Sequence, residues 1–288
     1  MARAAKNRNG NTSTTTPSNV RRLAPLAEVV DPAEAFLTEI EPERTLRDIV
    51  LNDPTSTIVN GLIDELKASE TLRRHNVPLR SRILLCGPPG NGKTLLAEVL
   101  AQELMMPLYT LRLDTIVSSY LGETASNLRK AFDFAIRRPC VLFLDEFDAL
   151  GRTRTDDADH SEMRRVVNSV LQLMNHNHSR SYFVAATNIH GTIDDALWRR
   201  FDEVIEMATP DQSAIEQLLN IQFKNFRTSF KVEKRAVDFI NFSFAEVERV
   251  CYGAIKLHLI KKTKSVTAKQ FEHSVQDELR RRKLRTPS

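Results

Sequence analysis

The run Gly87–Thr94 constrains the fold of this chain more than any other segment. Its letters, GPPGNGKT, match the pattern G-x-x-x-x-G-K-[ST]. The run follows the apolar segment Arg82–Cys86, which predicts a strand, and it leads into Lys93–Leu104, which predicts a helix. A glycine-rich loop in this position turns backbone N–H groups and the N-terminus of a helix toward one point, an arrangement typical of a phosphate site. The sequence therefore predicts a nucleotide-binding α/β domain.

The same run assigns candidate ligands residue by residue. Lys93 is expected to reach the β- and γ-phosphates of ATP, and the Thr94 hydroxyl is expected to bind Mg²⁺. The cofactor-binding set is completed by the rest of the run and the residue after it: Gly87, Pro88, Pro89, Gly90, Asn91, Gly92 and Leu95. Taken alone, the loop is also compatible with a kinase, a GTPase or a transporter subunit.

Short apolar segments alternate with amphipathic ones along residues 46–209. They predict five strands, at Arg82–Cys86, Leu108–Leu113, Cys140–Leu144, Tyr182–Ala186 and Val204–Met207. Helices are predicted among them, at 93–104, 124–137 and 162–174. This alternation is typical of the α/β class, here a P-loop NTPase core with a parallel five-stranded sheet and helices on both faces.

The regions on either side of this core differ from it in composition. Residues 1–20 are polar with almost nothing apolar, which predicts a disordered tail. Residues 21–45 are predicted to be a linker with a short helix near Pro32–Ile40. After Pro210 the strands stop, and a small all-α lid domain is expected over residues 210–288, with helices at 212–226, 233–241, 244–262 and 267–282.

Three polar side chains follow predicted strands and are candidates for the chemistry. Asp145 and Glu146 end the strand Cys140–Leu144, and Asn188 follows the next strand along the chain. Asp145 is expected to hold Mg²⁺, directly or through water, and Glu146 to polarise the attacking water as a general base. Asn188 could reach the γ-phosphate and that water. The structural alternatives are a helix cap for the acidic pair and a turn residue for Asn188.

The order of these motifs is also informative. The strand Leu108–Leu113 separates the phosphate loop from Asp145 along the chain, unlike the pattern of nucleotide kinases and small GTPases. Over about residues 46–282 the chain resembles the AAA-type ATPases of the AAA+ superfamily, specifically small single-ring members of the protein-remodelling kind. The resemblance is carried by segments in that family's order and spacing: Gly87–Thr94, Leu142–Asp148, Ala185–Asn188 and Ile193–Asp202.

The resemblance implies roles for three more positions. Asn188 would be the sensor-1 residue, and Arg200, before Phe201-Asp202, would be an arginine finger that reaches the neighbouring subunit's site. Many relatives carry a second finger three residues after the first, where this chain has Glu203. Either the adjacent Arg199 substitutes for it or one finger suffices. A solvated pair at a helix end is the alternative interpretation of Arg199 and Arg200.

Two further segments resemble functional parts of the family. Ser119–Thr124 is similar to the aromatic pore loop of protein-translocating members, in which Tyr120 and Leu121 would grip an extended polypeptide substrate. A plain loop with Tyr120 packed inward is the alternative. Phe242–Glu248 resembles the motif that begins a lid helix, and Ser243 with Glu246 also forms a capping-box pattern. No lid arginine matches the sensor-2 position of the family, and Arg249 is the nearest candidate.

Charge and composition bear on partners and location. Residues 1–22 carry five basic residues and no acids, and residues 255–288 carry ten basic residues and three acids, so the remainder has a net charge of about −8. Solubilising termini explain this better than nucleic acid, because no aromatic residues interleave with the N-terminal charges. Neither a membrane span nor a secretory signal is apparent, and the three cysteines are expected to be core residues in a cytoplasmic protein.

The sequence therefore predicts an ATP hydrolase that forms a homo-oligomeric ring, expected to be a hexamer. It would remodel or unfold a protein substrate through a central pore, with ATP and Mg²⁺ as cofactors. A separate adaptor protein could supply substrate choice. Two alternatives remain: a nucleic-acid-associated ATPase of the clamp-loader or transposition-helper kind, and an ATP-dependent assembly switch.

Overall fold

The computed structural model describes residues 31–112, 124–147, 174, 180–188 and 198–285. From Pro32 onward the described residues belong to one compact unit. The predicted tail at 1–20 lies outside the described residues, as do nearly all of the predicted helix at 162–174 and the predicted pore loop.

A six-stranded sheet forms the centre of the α/β part. Its strands, in chain order, are β1 Leu37–Ile40, β2 Arg82–Cys86, β3 Leu108–Leu111, β4 Val141–Leu144, β5 Tyr182–Thr187 and β6 Glu203–Glu206. Their spatial order is β1-β3-β4-β5-β2-β6. All five predicted strands are present and pair in parallel, which confirms the predicted fold class.

The sixth strand corrects one prediction. The segment near Pro32–Ile40 is not a single short helix, since a 3-10 helix over Pro32–Phe36 leads into β1. β1 pairs antiparallel with β3, with Leu37 opposite Leu111. Leu37 is buried against the core, and β3 would otherwise be an open edge with unpaired backbone groups. Pairing with a strand about 70 residues away in sequence therefore decides the conformation of this segment.

Helices cover both faces of the sheet. They are α1 Asp53–Lys67, α2 Ser69–Arg74, α3 Lys93–Glu103 and α4 Thr124–Arg137. Within β2, Leu84 packs in the apolar cluster that includes α4. Its neighbours Ile83 and Leu85 pack in the opposite cluster, with α1 and α3. This alternation buries both faces of a parallel strand, as continuous apolar strands require.

The chain after Pro210 is helical, as predicted. It contains α5 Gln212–Phe223, a 3-10 helix Glu233–Phe239, α6 Phe244–Lys261 and α7 Ala268–Arg285. These elements share a third apolar core, to which Val50 from the segment before α1 also contributes. No helix within the described ranges is both long and apolar enough to cross a membrane. All three cysteines are free and buried, as expected.

Candidate functional site

The phosphate loop lies at the carboxyl edge of the sheet, beside two other strand ends. In space β5 lies between β2 and β4, so Asn188 follows the strand between the two that lead to Gly87 and Asp145. The register aligns Cys86 with Thr187 and Leu144 with Ala185. The backbone N–H of Gly87 donates to the carbonyl of Thr187 at 3.2 Å. The fold thus brings the predicted phosphate, metal and sensor residues to one edge.

The loop backbone takes conformations and positions that demand glycine. Gly87 has φ +149°, and a Cβ there would lie 2.2 Å from the carbonyl oxygen of Met207. Gly90 has φ +80°, and a Cβ there would lie 2.9 Å from the Ser243 Oγ. The loop is therefore held between the end of β6 and the start of α6. Glycine is the residue that fits such left-handed and crowded backbone.

Lys93 is the first residue of α3, and its ammonium group points back into the loop. Its side chain is buried, and its Nζ donates to the carbonyl oxygens of Gly87 at 2.7 Å and Pro88 at 3.0 Å. The N-cap residue of α3 is Gly92, which has no side chain that could accept from the first N–H groups of the helix. Uncapped N–H groups and a buried ammonium give this point a positive potential, as a bound phosphate requires.

Thr94 and Asp145 offer oxygen ligands for a divalent cation. The Thr94 Oγ1 donates to the Asp145 Oδ2 at 3.2 Å, although the two residues are 51 positions apart. Neighbouring ligands of an octahedral Mg²⁺, each about 2.0–2.1 Å from the ion, lie about 2.9 Å apart. The observed pair is close to that spacing, so these residues fit the ion predicted from the sequence. The other oxygen of Asp145 accepts from the Glu146 backbone N–H at 2.8 Å.

Glu146 has a left-handed backbone conformation, with φ +49°, and its side chain is exposed at the carboxyl edge. A positive φ at a residue other than glycine costs free energy and is enriched at functional sites. Next to it, Phe147 is buried and packs edge-to-face on Phe201, with ring centroids 6.1 Å apart. The candidate general base is therefore adjacent to a fixed aromatic contact.

The start of α6 closes over the phosphate loop. The backbone N–H of Ala245 donates to the carbonyl of Gly90 at 3.0 Å. Ser243 and Glu246 form the predicted capping box, in which the Glu246 Oε2 accepts from the Ser243 N–H at 2.8 Å. The motif that was identified by resemblance is thus in direct contact with the loop.

Two arginines of the helical part have defined partners there. Arg249, the nearest sensor-2 candidate, forms an ion pair with the buried carboxylate of Glu278 at 2.6 Å. Arg282, which the sequence analysis did not single out, lies over the Phe242 ring at 4.3 Å and donates to the Asn241 carbonyl at 2.9 Å. α7 therefore supports the segment that contacts the loop. No local motif marks Arg282, because its partners are about 40 residues away.

A cleft of about 480 Å³ lies beside the loop, on the β6 side. Its lining comes from residues 50–55, residues 206–211, the start of α5, Phe244 and Asn91. This volume lies within the range of about 300–1,000 Å³ that is usual for ligand pockets. The buried Asn91 amide has no hydrogen-bond partner on either its oxygen or its nitrogen within the described part of the chain.

Of the predicted finger segment, the structure describes residues 198–202, and these lie at the opposite end of the parallel strands, near the start of β2. Arg199 and Arg200 are exposed in a turn. Asp202 is bound to Ser81 and Arg82 at the amino end of β2, with its backbone N–H 2.8 Å from the Arg82 carbonyl oxygen. The five residues of β2, at about 3.3 Å each, put roughly 16 Å between this point and the phosphate loop. The fold does not bring either arginine to its own phosphate loop.

Glu203, at the position of the second finger in many relatives, has a partner within the chain. The Arg80 guanidinium contacts Glu203 through Nη1 and Glu65 through Nη2, at 2.5 and 2.6 Å. Glu203 therefore links β6 to α1 through Arg80. Tyr120 and Leu121 of the predicted pore loop lie outside the described residues.

Comparison with known proteins gives concordant results. The family described as "ATPase family associated with various cellular activities (AAA)" matches residues 83–209. An uncharacterized AAA family ATPase of Sinorhizobium fredii is 45% identical over 93% of this chain and 81% of its own length. The ATP-dependent zinc metalloprotease FtsH 3 of Sphaerobacter thermophilus is 31% identical over 83% of this chain and 50% of its own length. The ATP-dependent zinc metalloprotease FtsH of Mycoplasmopsis synoviae is also 31% identical, over 82% of this chain and 37% of its own length.

Proposed function

This chain belongs to the AAA family of ATPases, and we propose that it hydrolyses ATP in a homo-oligomeric ring that remodels protein substrates. The observation that carries the hydrolytic part is the shared edge of β2, β5 and β4, where Lys93, Asn188 and the Asp145-Glu146 pair follow neighbouring strands. A phosphate-binding lysine, an oxygen-lined cation position and a carboxylate base are the parts that phosphoryl transfer to water needs.

In this proposal each side chain has one role. Lys93 leaves the carbonyl oxygens of Gly87 and Pro88 and donates to the β- and γ-phosphates. Thr94 and Asp145 hold Mg²⁺, which neutralises charge on the phosphate oxygens when bound. Glu146 accepts a proton from the attacking water, and Asn188 orients that water and the γ-phosphate. The adenine occupies the cleft between residues 50–55 and the start of α5.

In the proposed ring, an arginine of one subunit completes the nucleotide site of its neighbour. Arg200 and Arg199 are exposed and distant from their own phosphate loop, so they are available to a neighbouring copy. A guanidinium delivered between subunits stabilises the charge of the transferring phosphoryl group and increases turnover by about 10³–10⁵. We place Arg200 in this role, with Arg199 beside it, and a hexamer as the assembly.

Substitution of Glu146 tests the hydrolytic part. Glu146→Gln keeps the shape of the side chain but removes the base, so ATP hydrolysis should fall by about 10²–10⁴ while ATP stays bound. Lys93→Ala should lose binding itself. Turnover and retention of labelled nucleotide would be measured on both variants. If wild type turns over no faster than Glu146→Gln, the chain is an assembly switch instead.

The protein-remodelling part rests on Ser119–Thr124 and on relatives whose names describe ATP-dependent proteases. For these 288 residues, which contain no H-E-x-x-H sequence, the proposal covers remodelling alone. Tyr120→Ala should abolish unfolding of a tagged protein substrate, with at most about a twofold change in ATP hydrolysis. Tyr109→Phe, a half-buried tyrosine of β3, is the control. Intact substrate processing by Tyr120→Ala would exclude the pore loop.

A nucleic-acid-associated ATPase is the second candidate. The observation that favours it is the basic segment 255–288, of which α7 exposes Arg280 and Arg281. DNA would then stimulate hydrolysis, and the stimulation would weaken steeply with salt because phosphate contacts release counterions. Stimulation by an unfolded protein and none by DNA supports the remodelling proposal.

A further inference from the structure

The carboxylate of Asp202, directly before β6, accepts several hydrogen bonds from the amino end of β2. Its Oδ2 accepts from the backbone N–H groups of Ser81 and Arg82, at 3.0 Å each. The Arg82 Nε lies 3.1 Å from each carboxylate oxygen, and Nη2 donates to Oδ1. These hydrogen bonds raise the pKa of the Arg82 guanidinium. Two backbone donors and a forked guanidinium fix both the position and the orientation of Asp202.

The residue before Asp202 is fixed as well. Phe201 is only 8% exposed, and its ring contacts the Phe147 ring edge-to-face. Its backbone N–H donates to the Trp198 carbonyl at 3.3 Å. Arg200 directly precedes this anchored pair and is itself exposed. Arg200 is therefore an exposed side chain whose next two residues are fixed by packing and hydrogen bonds.

We propose that Arg82 is a positioning residue for Arg200: through Asp202 it fixes the segment that presents Arg200 to the neighbouring subunit. The inference rests on the proposed trans-acting role of Arg200. A finger must reach the phosphoryl group with an error well below about 1 Å, because misplacement of that size can cost about 100-fold in rate. Arg82 touches neither substrate nor reacting atoms.

The position of Arg82 in the fold adds a connection to the chain's own site. Arg82 is the first residue of β2, and the last residue of β2, Cys86, precedes the phosphate loop. Glu146, at the same edge as that loop, is joined to the finger segment through Phe147 and Phe201. Two contacts therefore connect one subunit's nucleotide site to the arginine that it offers to the next subunit.

Arg80 provides a matched control. It lies two residues earlier and also forms ion pairs, but its partners are Glu65 on α1 and Glu203 on β6. Arg80→Gln should lower stability without moving Asp202. Arg82→Gln should leave binding of a fluorescent ATP analogue within about twofold of wild type and reduce hydrolysis at least tenfold, since a finger is worth about 10³ or more.

Mixed assemblies of variants of the whole 288-residue chain distinguish two effects of Arg82→Gln. One is a misplaced finger in the neighbouring subunit's site, and the other is damage to the nucleotide site of the same subunit. Lys93→Ala subunits do not bind ATP but present an intact finger. Mixed with Arg82→Gln subunits, they should restore hydrolysis at about a quarter of the interfaces of a randomly mixed head-to-tail ring. Arg82→Gln mixed with Arg200→Ala should restore nothing, because both variants lack a working finger and both keep their own site.

Two results would overturn the proposal, and they differ from each other. If Arg200→Ala with Lys93→Ala recovers activity and Arg82→Gln with Lys93→Ala does not, Arg82 acts in its own site. If neither mixture recovers ATP hydrolysis, Arg200 does not act in trans, and the proposed role of Arg82 is then also wrong. Should Arg82→Gln fail to fold, Arg82→Lys decides through the same mixtures, because lysine keeps the charge but loses the two-oxygen contact.

Discussion

The two ends of β2 are built in different ways, although only five residues separate them. At the carboxyl end, Gly87–Thr94 is a local structure of glycines, backbone amides and one buried lysine. At the amino end, Arg80 and Arg82 bind carboxylates that are about 120 residues away in sequence. The first end depends on backbone that cannot accept a side chain. The amino end depends on ion pairs, which are lost when either side chain of a pair loses its charge.

The difference shows which part of the molecule a motif can describe. A phosphate loop needs particular residues at consecutive positions, so the eight residues Gly87–Thr94 are enough to identify it from the sequence. The amino end needs Arg82 and Asp202 to meet, and the pairing of β2 with β6 produces that meeting. Substitutions at the two ends should therefore fail for different physical reasons.

The largest effect is expected for Gly87→Ala. The new Cβ would lie 2.2 Å from the Met207 carbonyl oxygen, and the Met207 N–H is bound to the Cys86 carbonyl at 2.7 Å, so neither backbone can move away. We expect a loss of about 3 kcal/mol or more in the free energy of unfolding. Denaturant unfolding curves measure it.

Gly61→Ala is the control for that substitution. In α1 the added Cβ would meet the Arg80 Nη2 at 3.0 Å, which is the far end of a flexible side chain. Alanine also favours helix by about 1 kcal/mol over glycine, so the net change should be within about 1 kcal/mol. Equal unfolding midpoints for the two variants would refute the crowding of Gly87.

An intermediate effect is expected for Asp202→Asn. Asparagine keeps the shape but removes the charge and one acceptor, so the partly buried Arg82 loses its ion pair with this side chain. We expect a loss of about 2 kcal/mol. Asp64→Asn is the control, because that exposed pair with Lys67 should contribute less than about 0.5 kcal/mol. If both variants unfold alike, the amino end is not held by its ion pairs.

The smallest effect concerns two buried thiols, one at each edge. Cys86 precedes the phosphate loop, and Cys140 precedes β4 at the other edge. Burial raises the pKa of both thiols, and that of Cys140 rises from 9.0 to about 11. Both should react slowly with iodoacetamide in the native state, and bound ATP should slow Cys86 further without affecting Cys140. Peptide mass spectrometry of the alkylated protein reports each site.

The same pKa shift predicts an alkaline limit to stability. The folded state favours the protonated Cys140 thiol. The contribution of this thiol to the free energy of unfolding is therefore complete below pH 9 and is lost as the pH rises toward about 11. Thermal melts across this interval should fall for wild type and fall less for Cys140→Ala. An identical pH profile for the two proteins would contradict a raised pKa at this site.

The sequence predicted the local parts of the site and missed those that depend on distant neighbours. The strand before Gly87 and the strand before Asp145 are apolar runs, and their carboxyl ends meet because the sheet is parallel. The position of β5 between them was not predicted, because chain order and spatial order differ in this fold. Arg82 and Arg282 carry no motif, and each is recognised only through partners far along the chain.

The error at Pro32–Ile40 has the same origin. Periodicity over four residues cannot distinguish a helical turn from an edge strand, and the unpaired side of β3 decides between them.

The strand β1 also determines how far the chain can be shortened from its N-terminus without exposing the sheet. β1 occupies the hydrogen-bonding edge of β3 over four residues, from Leu37 to Ile40. A protein that begins after Ile40 would keep every residue proposed for catalysis, yet it would present β3 as an open template for strands of other molecules. We expect this shortened protein to aggregate during purification. Such aggregation would result from the open edge of β3 and would not be evidence against the ATPase site.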